Sequence, residues 1–106
     1  MTLNEYQIEA HKLANYASEL YPFLALAEET GEVCGKLAKK HRGDERYQDE
    51  ESLKDMIVKE LGDVLWLIQE CCYVTGVSLE EVAQGKLEKL KDRVQRNVLL
   101  GDGDER

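Results

Sequence analysis

Apolar positions recur at three- and four-residue spacing over most of the chain, and no stretch of useful length alternates apolar with polar residues. That period belongs to amphipathic helices. With one proline and long runs of good helix formers, it predicts an all-α, four-helix chain. Thr2 and Glu5 form a capping-box pair that opens a first helix running to about Leu20, where Pro22 ends it. A second helix starts near Pro22 and reaches about His41, before the polar Arg42-Gly43-Asp44, and residues 43 to 51 are loop. Ser52 followed by Asp55 resembles a cap for a third helix, which runs to Thr75 and stops at Gly76. Ser78 and Glu81 cap a fourth, from Leu79 to about Asn97, with apolar Val82, Leu87, Leu90 and Val94. The residues from Gly101 to Arg106 read as an irregular tail.

Helix three carries Met56, Ile57, Leu61, Val64, Leu65, Leu67, Ile68, Cys71 and Cys72 around much of its circumference. A helix apolar on most sides is surrounded by others. One bundle of this size has trouble covering it, so a homo-oligomer, dimer or tetramer, is expected; the alternative is that helices one, two and four suffice. Gly31, Gly35 and Gly62 sit inside helices, where each costs about 1 kcal/mol relative to Ala. They mark close helix approaches or tolerated surface positions.

The length of 106 residues suits one domain, residues 1–106, with one modest core. Its net charge of −8 argues against nucleic acid as partner, because binding a phosphate backbone needs a basic surface. Three cysteines, two of them adjacent at Cys71 and Cys72 in an apolar stretch, suit reduced thiols and a cytoplasmic location better than a disulfide framework. Neither a Cys-x-x-Cys pair nor matching histidine spacing is present, which disfavours zinc. Wholly apolar runs such as Val64 to Ile68 are too short to span a bilayer, and the first residues lack signal-peptide architecture, so a soluble protein with no membrane partner is expected.

The chemistry lies in the acids. Helix two carries Glu28, Glu29 and Glu32, and helix three carries Glu60 and Asp63. Glu29 and Glu32, like Glu60 and Asp63, stand three residues apart, about 60° around their helix, so each pair shares a face. Met56, Val64 and Leu67 share the sector of Glu60 and Asp63, and Leu26 and Val33 flank that of Glu29 and Glu32. Four carboxylates edging into a core repel one another by roughly 1 to 4 kcal/mol per pair at about 4 Å. A divalent cation offsets that cost, and Mg²⁺ prefers hard oxygen ligands while accepting substrate phosphates. The competing reading is a solvated face paired with Lys36, Lys40 and Lys59; the repeated spacing on an apolar flank favours metal. A di-iron bundle wants Glu-x-x-His, and neither His11 nor His41 has a Glu three residues before it.

Leu26-Ala27-Glu28-Glu29-Thr30-Gly31-Glu32-Val33, followed by Lys59-Glu60-Leu61-Gly62-Asp63-Val64-Leu65-Trp66, resembles the MazG-type all-α nucleoside triphosphate pyrophosphohydrolases, whose motif is Glu-Glu-x-x-Glu, a variable gap, then Glu-x-x-Asp. The similarity extends to Tyr6-Gln7, Lys89-Leu90-x-x-Arg93 and Gly103-Asp104-x-Arg106. The resemblance implies a helical fold assembled as dimers or dimers of dimers, Mg²⁺ with Mn²⁺ as a substitute, and release of pyrophosphate from an NTP or dNTP. It makes Glu29, Glu32, Glu60 and Asp63 metal ligands and Glu28 a further acid that holds a second metal or orients water. Lys36, Lys39 and Arg42, beyond Glu32, and Lys89 and Arg93, on one face of helix four, are the candidate substrate-binding cations. One departure stands out: many relatives have Asn three residues before the fourth-helix Lys, where this chain has Lys86. Trp66 and Tyr73 are aromatics able to stack on a base, although packing is the commoner role on a core helix; His11 and His41 have no assigned part. The rival functions are a diphosphate or triphosphate hydrolase selective for one nucleotide, such as a single dNTP, and a non-catalytic helical binding module.

Overall fold

The computed structural model describes residues 1–98 and 100–105, and it is built from helices, with no strand among the described residues. The elements are α1 (Leu3–His11), α2 (Tyr21–Arg42), a short 3₁₀ turn (Glu45–Tyr47), α3 (Glu50–Thr75) and α4 (Leu79–Gln95). Local chemistry sets most ends. The Thr2 hydroxyl accepts from the Glu5 amide at 3.0 Å and Glu5 reaches back to the Thr2 amide. Ser78 accepts from the Glu81 amide at 3.0 Å. Gly43 and Gly76, at φ 95° and 84°, end α2 and α3 in the left-handed conformation that glycine adopts without Cβ strain.

Two boundaries differ from expectation. The first helix stops at His11 rather than Leu20. His11 and Tyr16 both reach the carboxylate of Glu70; on a continuous helix they would lie about 140° apart, and the chain leaves the helix to bring them together. Pro22 therefore does not terminate α1 but sits in the first turn of α2. The third helix begins at Glu50, two residues before the expected cap, because Asp49 accepts from the Ser52 amide at 2.9 Å.

The short connection through residues 43–49 makes α2 and α3 antiparallel neighbours and the most extensive packing in the chain. Leu53, Leu67 and Cys72 of α3 are buried, as are Ala25 of α2, Tyr47 and Ala10. Trp66 donates its indole N–H to the Ala10 carbonyl at 3.2 Å, fastening α1 to α3. Gln7 bridges to α4, donating to the Val77 carbonyl and accepting from the Leu79 amide at 2.8 Å. All three cysteines are free. No described helix is long and apolar enough to cross a membrane.

Much of the apolar surface stays uncovered. Val58, Leu61, Leu65, Val82, Leu87, Leu90 and Val94 are exposed, as is every residue from Glu80 to Asp92. Within one chain α3 is thus not enclosed. The radius of gyration is 16.9 Å, against about 13 Å for a compact chain of about 100 residues. Gly31, Gly35 and Gly62 meet no atom within 4 Å of a Cβ position, so they mark no close approach within the chain.

Candidate functional site

Midway along the α2–α3 pair, one carboxylate oxygen from each of Glu29, Glu60 and Asp63 lies within 4.8 Å of the other two. Glu29 and Glu60 are half-buried and Asp63 is exposed, so the cluster opens to solvent on one side. Burial raises the Glu29 carboxyl above its ordinary range, and the charges of Asp63, Glu60 and Glu28 push it in the same direction. The fold therefore holds acids together against their own repulsion. An all-oxygen donor set reached from one open side fits a hard divalent cation that retains water and takes a phosphate oxygen.

The other predicted acids stand at the edge. Glu32 is outside the three-oxygen cluster; its side chain is 51% exposed and lies 3.7 Å from Lys36 Nζ. Glu28 is exposed and reaches the cluster only as a charge on Glu29. Lys36, 18% exposed, places its ammonium 3.5 Å from Glu60 as well, bridging the two helices beside the cluster.

The remaining predicted cations are distributed. Lys39 lies over the Tyr47 ring, 5.4 Å from its centroid. Arg42 makes a fork to Asp44, with Nε 2.9 Å from Oδ1. Lys89 and Arg93 sit on α4, which packs on α1 and α3 but not on α2 among the described residues, and both bind the tail residue Asp104. Arg106, the last position of the tail motif, lies outside the described residues.

Sequence reasoning missed a second polar centre. Glu70 and Gln69 of α3 are fully buried. Glu70 accepts from Tyr16 Oη at 2.5 Å and Gln69 Nε2 at 2.8 Å, and His11 Nδ1 lies 3.0 Å away. The His11 ring stacks on Tyr73 with centroids 3.4 Å apart. A cavity of about 280 Å³, lined by His11, Ala14, Tyr16, Glu19, Tyr73 and Val74, opens beside this network. The available signal was a Gln-Glu pair inside an apolar run; His11, given no part from sequence, is one of its partners. Trp66, half-buried, is tied to the Ala10 carbonyl through its indole N–H.

The comparisons with known proteins agree with this architecture. The family model for the MazG nucleotide pyrophosphohydrolase domain matches residues 17–98, which include all of α2, α3 and α4. The "Gene 37 protein" of Mycobacterium phage L5 is 32% identical over 115 residues, covering 100% of both chains. No solved structure gives a significant match. With a family match over most of its length and a relative aligned from end to end, the chain belongs to the MazG nucleotide pyrophosphohydrolase family.

Proposed function

We propose that this chain, as one domain over residues 1–106, hydrolyses a nucleoside triphosphate to the monophosphate and pyrophosphate in the cytoplasm, using Mg²⁺, with Mn²⁺ as a substitute. The observation that carries this reading is the meeting of Glu29, Glu60 and Asp63 from two helices, in a chain of this family. Those three residues would hold the ion, and Glu32 is the fourth ligand we assign. When bound, Mg²⁺ neutralises charge on the triphosphate oxygens and acidifies the attacking water. Glu28, exposed beside Glu29, is the group assigned to take the proton from that water. Lys36 is close enough to the cluster to meet a phosphate oxygen. Lys39 and Arg42 form a more distant basic fringe.

Lys89 and Arg93 lie on a helix that does not touch α2, so we assign them to the acidic cluster of another copy of the chain. The exposed apolar stripe Leu87, Leu90 and Val94 on the same helix supports self-association. Light scattering is expected to give a mass two or four times the 12.1 kDa of one chain, and Leu87→Asp with Leu90→Asp to return a single-chain mass with loss of turnover. A wild-type protein that is monomeric and fully active would contradict this assignment.

The decisive assay offers NTPs, dNTPs and the corresponding diphosphates with Mg²⁺ and reads pyrophosphate against orthophosphate. Pyrophosphate and monophosphate in equal amounts are expected from triphosphates. Orthophosphate as the sole product would overturn the cleavage position, and a marked preference within the panel identifies the nucleotide.

A further inference from the structure

Among the acids of α2 and α3 stands a cation. Lys36 Nζ lies 3.5 Å from Glu60 Oε1 and 3.7 Å from Glu32 Oε2. Lys36 follows Glu32 by four residues and Glu29 by seven, so the fold places all three on one face of α2. A surface lysine ordinarily lays its stem along the protein and keeps its ammonium in water, but the Lys36 side chain is 18% exposed and that of Glu60 17%. The ammonium is thus held where two helices meet. Its two partners are differently placed: Glu60 belongs to the three-oxygen cluster with Glu29 and Asp63, whereas Glu32 lies outside the cluster, beside Lys36. One positive charge therefore engages a member of the cluster and holds the assigned fourth ligand to one side.

We infer that Lys36 is a resident counter-ion that competes with the divalent ion for Glu60 and Glu32, so that the nucleotide-free protein takes up Mg²⁺ weakly and loads it together with the triphosphate. The inference rests on the proposed function and concerns the order of loading at that site. A dication on the Glu60 carboxylate stands beside the ammonium, and the two repel. At about 6 Å in water such a repulsion changes an affinity about tenfold, and by more at lower dielectric. Lys36 must therefore give up both carboxylates for them to face the ion. A triphosphate that arrives with the ion offers the ammonium anionic oxygens in place of Glu60 and Glu32. Free Mg²⁺ offers it none.

The test is titration of the nucleotide-free full chain with Mn²⁺ alone, read from the EPR signal of the free ion at about 0.1 M salt, where exposed charges about 10 Å apart are largely screened. Lys36→Met keeps the aliphatic stem and removes the charge, and it is expected to bind Mn²⁺ about tenfold more tightly than wild type. Lys36→Gln should do the same, and circular dichroism checks that both keep their helices. Lys36→Arg retains the charge and should stay near the wild-type affinity, which separates charge from packing. Lys54→Met, at an exposed position six residues before Glu60, removes the same charge elsewhere on α3 and should change little. If Lys36→Met and Lys36→Gln bind Mn²⁺ no more tightly than wild type, or Lys36→Arg or Lys54→Met gains as much as they do, the inference is overturned and the metal site stands. Absence of Mn²⁺ binding from the wild type and every variant would instead remove the metal site, and the inference with it.

Discussion

Replacing Glu60 by Gln, or Asp63 by Asn, is expected to lower kcat/KM by at least about a thousandfold, or about 4 kcal/mol of transition-state stabilisation, which is the scale a catalytic metal supplies. The fold should survive. Glu60 stands among carboxylates that repel it, each pair by roughly 1 to 4 kcal/mol at about 4 Å. Against that relief, the substitution gives up the 3.5 Å pair with Lys36, both of whose side chains are less than one-fifth exposed, an attraction about the size of one of those repulsions, while Glu60 has two such carboxylate neighbours, Glu29 and Asp63. In metal-free protein Glu60→Gln is therefore neutral or stabilising. The sign reverses with Mg²⁺: a ligand at about 100 times its Kd stabilises the wild type by about 2.7 kcal/mol, and the variant should lose most of that gain. Thermal unfolding with and without Mg²⁺ measures both halves alongside the rate. Full turnover in either variant, or an unchanged Mg²⁺-dependent shift in Tm, would remove these carboxylates from the metal site.

What the sequence disclosed about this molecule divides by the range of the interaction. The Thr2–Glu5 and Ser78–Glu81 caps and the glycine at position 76 depend on residues within a turn of each other, and they stand where the pattern placed them. The convergence of Glu29 with Glu60 and Asp63 was legible because a period of 3.6 residues fixes which acids share a face and the apolar flanks fix where that face points. Glu32 shares the face of Glu29 but lies outside the cluster, its carboxylate beside Lys36, a rotamer outcome that periodicity does not determine. The early end of α1 was not legible, since its cause is a carboxylate more than fifty residues away. The apolar pattern on α4 was read correctly as apolar but not as exposed, because hydrophobic periodicity does not distinguish a face that packs within its own chain from one that does not.

Glu70→Ala is expected to destabilise the fold by about 3 to 5 kcal/mol, the range found when one partner of a buried ionic or multiply hydrogen-bonded group is removed. Glu70 is completely buried and is the common partner of His11, Tyr16 and Gln69. Truncation leaves the Tyr16 hydroxyl and the Gln69 amide without that acceptor, at about 1 to 3 kcal/mol for each group left unpaired in the interior. It also leaves a void where the side chain was. Tyr16→Phe removes one donor and keeps the others, so its cost should fall near the cost of a single hydrogen bond to a charged group, about 1.5 to 3 kcal/mol. Urea unfolding monitored by circular dichroism gives both values. The network clamps α1 and the 12–20 segment onto α3 beyond the acidic cluster: Asp63 and Glu70 are two turns, about 10 Å, apart on one face of the helix. Its loss should therefore appear as stability rather than chemistry, with Tyr16→Phe retaining its Mg²⁺ response and most of its rate at temperatures where it remains folded. A loss below about 1 kcal/mol for Glu70→Ala would mean that water replaces the lost partners without penalty, and would make the cavity beside His11 and Tyr73, rather than the fold, the reason for burying an acid there.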